Sequence, residues 1–329
     1  MKLRITSIII LAFCLLGVCI GGCSPTYSKE KIEESIIKIC KKEYSADVKV
    51  KIAGKTIAIY LPLSDLLDFT FAITKPAGEK INDVILSVSR VCLSTDAKFN
   101  FYCLIAHDVR IPEIQIVIIK SVDDVKRFLL NDISRGEYSR RMLIDIRLNP
   151  QSQKEHAVKE VFSKMNLDPQ WQDEVMNDFF RGEATALGDI GYWNGRFYIK
   201  DVSLPEFLTE QIAGRVRNEF REDRGFAENL LLKSSKGNYY IKEGKGYFKL
   251  EILAEPKIDT EWDPNKTTNK IFRKSLKIAN DVIHGYRFKD FDFIEIVNLL
   301  DGRNLLISRS EMELLRLKKI KFEDVSSTF

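Results

Sequence analysis

Residues 79–101, EKINDVILSVSRVCLSTDAKFNF, lie without a gap on residues 269–291, NKIFRKSLKIANDVIHGYRFKDF, displaced by 190 positions. Lys80-Ile81 falls on Lys270-Ile271, Leu86 on Leu276 and Phe101 on Phe291. The flanks follow suit. AGKTIAIYL (53–61) meets EGKGYFKLEI (243–252) after a one-residue slip, both turning at Gly-Lys, and IVIIKSVDDVKRF meets NLLISRSEMELLRL. Self-similarity at a fixed displacement constrains a fold more than local propensity does, because each copy has to be a supersecondary unit that recurs. The chain is therefore expected to hold an internal duplication.

The plan of the unit is readable in its first copy. Lys29–Glu43 repeats Ile32, Ile36, Ile39 and Cys40 at helical spacing, and Ala77–Leu93 does the same with Ile81, Val84, Ile85, Val88 and Cys92. Asp47–Ile52 and Thr56–Leu61 flank a short turn as a β-hairpin. Phe99–Ala106 and Ile114–Lys120 form a second strand pair, and SVDDVKRFLL reads as a capped helix start. Each copy predicts an antiparallel sheet with helices on one face, an α+β fold. Residues 29–133 make the first module and 206–329 the second. The segment between them, 134–205, is expected to be mostly helical. It opens with a strand in RRMLIDIRLN, continues with helices in PQSQKEHAVKEVFSKMN and DPQWQDEVMNDFFRG, and closes with a hairpin in GYWNGRFYIKD. Asn194-Gly195 suits the type I′ turn of that hairpin. A helix from Leu204 to about Lys233, broken near Gly225, leads into the second module.

The chain begins Met1-Lys2-Leu3-Arg4, and an apolar run extends from Ile8 to Ile20. A helix of that length spans roughly 20 Å, short of a hydrocarbon core of roughly 30 Å. A basic start, a short apolar stretch and then small residues form a secretory signal peptide rather than a spanning helix. Ile20-Gly21-Gly22-Cys23 resembles the lipobox of bacterial lipoproteins. That resemblance implies that residues 1–22 are removed and that Cys23 carries diacylglycerol on its sulfur and an acyl chain on its new amine. Residues 23–28 would be a short tether. It implies export and attachment to a membrane through lipid, and Ser24 rather than Asp at the second mature position points to the outer membrane over the inner. Two or three acyl chains, at about 0.8 kcal/mol per buried methylene, make a durable anchor.

Loss of Lys2 and Arg4 with residues 1–22 leaves 49 basic side chains against 47 acidic, a net +2. Near-neutrality in an exported chain lacks the charge signature of nucleic-acid binding, so no nucleic acid is expected as a partner. Of the six cysteines, Cys14 and Cys19 leave with the signal and Cys23 is lipidated; Cys40, Cys92 and Cys103 remain. At the 190 displacement these face Leu230, Val282 and Phe293, which makes them core thiols. A Cys92–Cys103 disulfide is the alternative that an exported chain permits.

No HExxH, paired CxxC, glycine-rich phosphate loop or GxSxG occurs, and no catalytic residue, metal or cofactor is expected. His156 and Glu160 read as a solvated i,i+4 pair, while His107 and His284 end a strand and a helix, where capping suffices. Asp123-Asp124 complements a helix dipole, Asp290 and Asp292 lie beside a strand entry, and SRGEYSRR (134–141) reads as a solvated linker. Tyr192, Trp193, Phe197 and Tyr198 crowd the Asn-Gly hairpin beyond what one sheet face can bury. Alternation sends Tyr192 and Trp193 to opposite faces, which makes this group the candidate anchor for a partner. The alternation of helix and hairpin is similar to small periplasmic modules such as BON domains. The reading that follows is a non-enzymatic, lipid-anchored binding or assembly module with an envelope protein as partner. Two alternatives stand beside it: a lipid or small-ligand binder with an apolar pocket, and an envelope hydrolase assembled from different modules, with His156 and the acids of 173–189.

Overall fold

Two β-sheets organise the chain. The computed structural model describes residues 27–148, 163–165, 187 and 190–326, except 69, 71, 112–113, 194 and 258–262. A 3₁₀ turn at Lys29–Lys31 leads into α1 (Ile32–Tyr44), then β1 (Lys49–Ala53), β2 (Thr56–Leu63), α2 (Lys75–Leu93), β3 (Phe101–Asp108) and β4 (Ile114–Ser121). After α3 (Val122–Leu129) and α4 (Arg135–Arg140), β5 (Leu143–Leu148) completes a sheet in the order β1-β2-β3-β4-β5. Its neighbours are antiparallel except β2 and β3, which α2 joins as a parallel crossover, so the sheet is mixed and not antiparallel as expected. A small hairpin, β6 (Gly191–Trp193) and β7 (Arg196–Tyr198), precedes α5 (Leu204–Glu222) and α6 (Arg224–Ala227). The second sheet comprises β8 (Leu230–Lys242), β9 (Lys245–Pro256), β10 (Phe293–Asn298) and β11 (Asn304–Ser308), with α7 (Pro264–Gly285) as its crossover. Helices α8 (Arg309–Arg316) and α9 (Phe322–Ser326) end the described chain. Its strand order is β8-β9-β10-β11, again antiparallel, parallel, antiparallel.

The helices form where pattern and caps agree. Thr74 accepts the Ala77 amide ahead of α2, with Pro76 in the first turn, and Ile81, Val84, Ile85, Val88 and Cys92 all turn inward. Asp263 caps α7 through the Asn265 and Lys266 amides, and Ser203 and Ser308 open α5 and α8 with full capping boxes. Helices α1 and α2 bury Ile32, Ile36, Val84 and Val88 against Ile57, Ile59 and Leu104 of the first sheet.

The two sheets differ on their other faces. Helices on one face only are expected for each, and the second sheet fits that picture. Phe248, Leu250, Ile252 and Ala254 of β9 are buried beneath α5 and α7, while Lys249, Glu251 and their neighbours stay partly exposed. Tyr240, Tyr247 and Phe293 stack in a row on that open face, with centroids 5.0 Å apart at each step. The first sheet is covered twice. Tyr60, Cys103, Ile105 and Val117 lie under Ile190, Tyr192, Val202 and Phe207, so β3 and β4 are buried along their whole length. Asp201 fastens this cover to the β1–β2 turn, accepting from the Lys55 amide (2.9 Å) and the Thr56 hydroxyl (3.0 Å). Gly54, at φ +57°, makes room for it: a Cβ there would stand 2.9 Å from the Asp201 Cβ.

Several expectations are corrected by the strands. Helix ends at Ala227, not about Lys233, because LLLKSSKGNYYIK pairs along β9 as β8. The hairpins do not both turn at Gly-Lys; the second turns at Glu243-Gly244, with φ of +53° and +75° as a type I′ turn requires. Phe101 opens β3 and Phe293 opens β10, each pairing with the parallel strand before it, so the gapless match of Phe101 to Phe291 fails by two residues. Cys103 stands third in its strand as Glu295 does in β10, whereas Phe293 stands first, and Cys40 lies on a helix while Leu230 opens a strand, so neither expected pairing is kept. All three cysteines are buried thiols, not a Cys92–Cys103 disulfide. Strand β5 hydrogen-bonds to β4, so the first sheet runs past residue 133. The two expected helices of 149–189 lie almost wholly outside the described residues.

Candidate binding grooves

Each crossover returns to its sheet over a loop, and a groove opens beside each loop. In the first half it lies between the end of α2, residues 94–100 and the first turn of α3, with a volume of about 600 Å³. In the second it lies between the end of α7, residues 286–292 and the first turn of α8, at about 980 Å³. The same backbone bonds frame both. The Asn100 amide donates to the Lys55 carbonyl (2.9 Å), as the Asp292 amide does to Gly246 (2.8 Å). The Val122 amide donates to the Asn100 carbonyl (2.9 Å), as the Arg309 amide does to Asp292 (2.8 Å).

Chemistry differs between them. The first groove carries Lys98 and Lys126 balanced by Asp96 and Asp123, and it is closed by Leu204 and Tyr286 from the second half. The second sets Ile283, Phe288, Phe291 and Met312 beneath a rim of Lys245, Arg287, Lys289 and Arg309. His284, expected as a helix cap, is exposed on this rim. Its two acids are engaged: Asp292 accepts the Gly246 amide (2.8 Å), and Glu313 accepts from Arg316 (2.8 Å).

Tyr286 also belongs to a buried polar junction that local pattern did not reveal. Asp124, expected as a dipole-complementing surface acid, is buried and ion-paired with Arg141 at 2.9 Å. Arg141, expected in a solvated linker, is 5% exposed; its guanidinium also donates to Glu137 (2.8 Å) and lies 4.5 Å from the Tyr286 ring centre. The Tyr286 hydroxyl donates to Asp124, while Gln211 of α5 donates to the Arg141 carbonyl and to the Tyr286 hydroxyl (3.0 Å). Burial raises the Asp124 carboxyl despite the opposing pull of Tyr286 and Arg141. With its charge matched and its oxygens occupied, Asp124 joins the halves rather than moving protons.

The predicted aromatic group divides. Tyr192 is buried, stacked 3.7 Å from Tyr60, and fixed by Gln115, which donates to its carbonyl and accepts its amide at 3.1 Å. Phe197 is half-buried with its ring edge toward Tyr192, and Tyr198 is exposed; the Trp193 side chain lies outside the described residues. Beneath Tyr192, His107 is buried in β3 rather than capping it, with Nε2 3.0 Å from the Tyr60 hydroxyl. Its Nδ1 has no partner among the described residues. Burial lowers the imidazole and pushes Tyr60 up to about 12, so both are neutral at neutral pH and neither is tuned as an acid or base there. Cys23 and His156 lie outside the described residues. Among the described residues no three histidines, cysteines or acids converge as a metal site would require.

Compared with protein-family models, with curated proteins and with solved structures, the chain matches none.

Proposed function

We propose that this chain is an exported, lipid-anchored cell-envelope protein that acts as a non-enzymatic binding or assembly module at a membrane surface. The observation that carries this reading is the position of Tyr27. Its amide donates to the Ser94 carbonyl (3.2 Å) and it bridges to Thr95, on the rim of the first groove. The lipobox-like Cys23 stands four residues upstream, and four extended residues reach roughly 14 Å. A lipid on Cys23 would hold the grooved end of the protein at the bilayer. The outer membrane is the preferred address, from Ser24.

Internal duplication is part of the same proposal. The same order and directions in β1–β4 and β8–β11, and the matched bonds around the grooves, support it, with β5 an extra strand of the first sheet. The covering hairpin is then an addition to the first copy alone, and exposed Tyr198 remains a contact point for an envelope partner. Metabolic labelling with palmitate tests the anchor: the native chain is expected to take label and stay with membranes. Cys23→Ala is expected to lose both, and a labelled, membrane-bound Cys23→Ala chain would sink the reading.

A further inference from the structure

The rim of the second groove carries four cations, Lys245, Arg287, Lys289 and Arg309, against two acids, Asp292 and Glu313, whose hydrogen bonds go to Gly246 and Arg316. Lys245, Arg287, Lys289 and Arg309 are exposed, and none forms an ion pair among the described residues. Arg309 donates to the Lys289 carbonyl and Arg287 sits at φ +54°, so hydrogen bonding and turn geometry define the path of the loop. The floor offers the opposite chemistry, with Ile283, Phe291 and Met312 buried and Phe288 half-buried. A phosphate is bound by several charged donors, and the rim carries two guanidinium and two ammonium groups. Glycerol and the first methylenes of an acyl chain need apolar contact, which the floor supplies.

We infer that this groove seats the headgroup of an anionic phospholipid in the bilayer that carries the anchor. This inference rests on the proposed lipid attachment. Tyr286 lines the first groove and the next residues, Arg287 and Phe288, line the second, so one loop contributes to both. Tyr27, four residues after Cys23, is fastened to the rim of the first. The basic rim thus shares a loop with the groove beside which Tyr27 is held, and anionic headgroups of the anchoring bilayer are the phosphates nearest to it in this proposal. A volume of about 980 Å³ accommodates a headgroup with the start of its chains. In the first groove Val122 stands where Arg309 does in the second, and its two lysines are offset by two aspartates, so it lacks the charge for this ligand.

Full-length protein is mixed with vesicles of phosphatidylcholine alone, or of phosphatidylcholine with a minority of phosphatidylglycerol. Each set carries a trace of the matching lipid with a photoactivatable group near the headgroup. Crosslinked peptides are then mapped by mass spectrometry. With phosphatidylglycerol the adducts are expected within 283–293 and 308–313, weakening as salt rises. Lys245→Glu with Lys289→Glu should cut their yield at least about fivefold for each cation replaced. Lys98→Glu with Lys126→Glu, in the first groove, should leave it unchanged. Equal adducts from the choline lipid, adducts elsewhere, salt-insensitive adducts, or full competition by soluble glycerol phosphate would each overturn the inference. Flotation with phosphatidylcholine alone reads the anchor separately. A chain that fails to float there, yet still crosslinks at the groove in anionic vesicles, loses the anchor and keeps the site.

Discussion

His107 sits where a charge is costly, and that has a pH signature. Burial holds the folded imidazole below its unfolded value, with neighbouring Asp108 pulling weakly the other way. A base lowered on folding lends stability that is complete above its unfolded pKa and drains away as pH falls through the folded one. Stability is therefore expected to decline between about pH 7 and pH 5, where an ordinary histidine gains its proton. Urea midpoints of His107→Gln, which keeps a polar group toward Tyr60 without the titration, should decline less over that interval. An equal decline in both chains would remove His107 as the cause. At this scale the sequence was only partly legible. The apolar stripe of α2 could be read directly because its residues are three and four apart. The Asp124–Arg141–Tyr286 junction could not, because its members are 17 and 162 residues from Asp124 and no periodicity links them.

Of the described glycines, Gly237 comes nearest to the backbone of another element, where β8 passes under α5. A Cβ there would lie 2.8 Å from the Thr209 carbonyl carbon, and backbone cannot swing aside as a side chain can. Gly237→Ala is expected to lift α5 from the second sheet at a cost of about 1–3 kcal/mol, the range for overpacking a filled core. Gly244→Ala, with nothing near its Cβ but a positive φ, should cost only the strain of its turn, about 1 kcal/mol. Chemical denaturation of the two variants separates close approach from turn geometry, and a larger loss at Gly244 would contradict this packing account. The same stretch explains the sequence-level error over β8. Its opening Leu-Leu-Leu-Lys continues the preceding helical pattern, while its strand character comes from twelve residues of partner in β9. Pairing with the strand that follows it overrode local propensity.

Across the whole molecule, the halves meet through buried charge set beside an apolar patch, where Leu204 and Phe207 of α5 pack on the first sheet. Arg141 donates to Asp124 and Glu137 in the first half and to the Gly285 carbonyl (3.3 Å) in the second, and Arg127 reaches the same carbonyl at 2.9 Å. Removing one partner of a buried pair leaves the other uncompensated, a loss of about 3–5 kcal/mol. Arg141→Ala is thus expected to turn one cooperative calorimetric transition into two. Tyr286→Phe, which deletes a hydroxyl shared by Asp124 and Gln211, should weaken the joint by about 1–3 kcal/mol without splitting the transition. A single unshifted transition in Arg141→Ala would mean that the joint contributes nothing to coupling. The cover on the first sheet also imposes an order in time. Strands β1–β5 are complete at residue 148, yet the layer over their outer face comes from residues 187–207. As the chain emerges from its amino end, that lid is incomplete until Phe207 appears, so the first half to be made is not the first that can be finished.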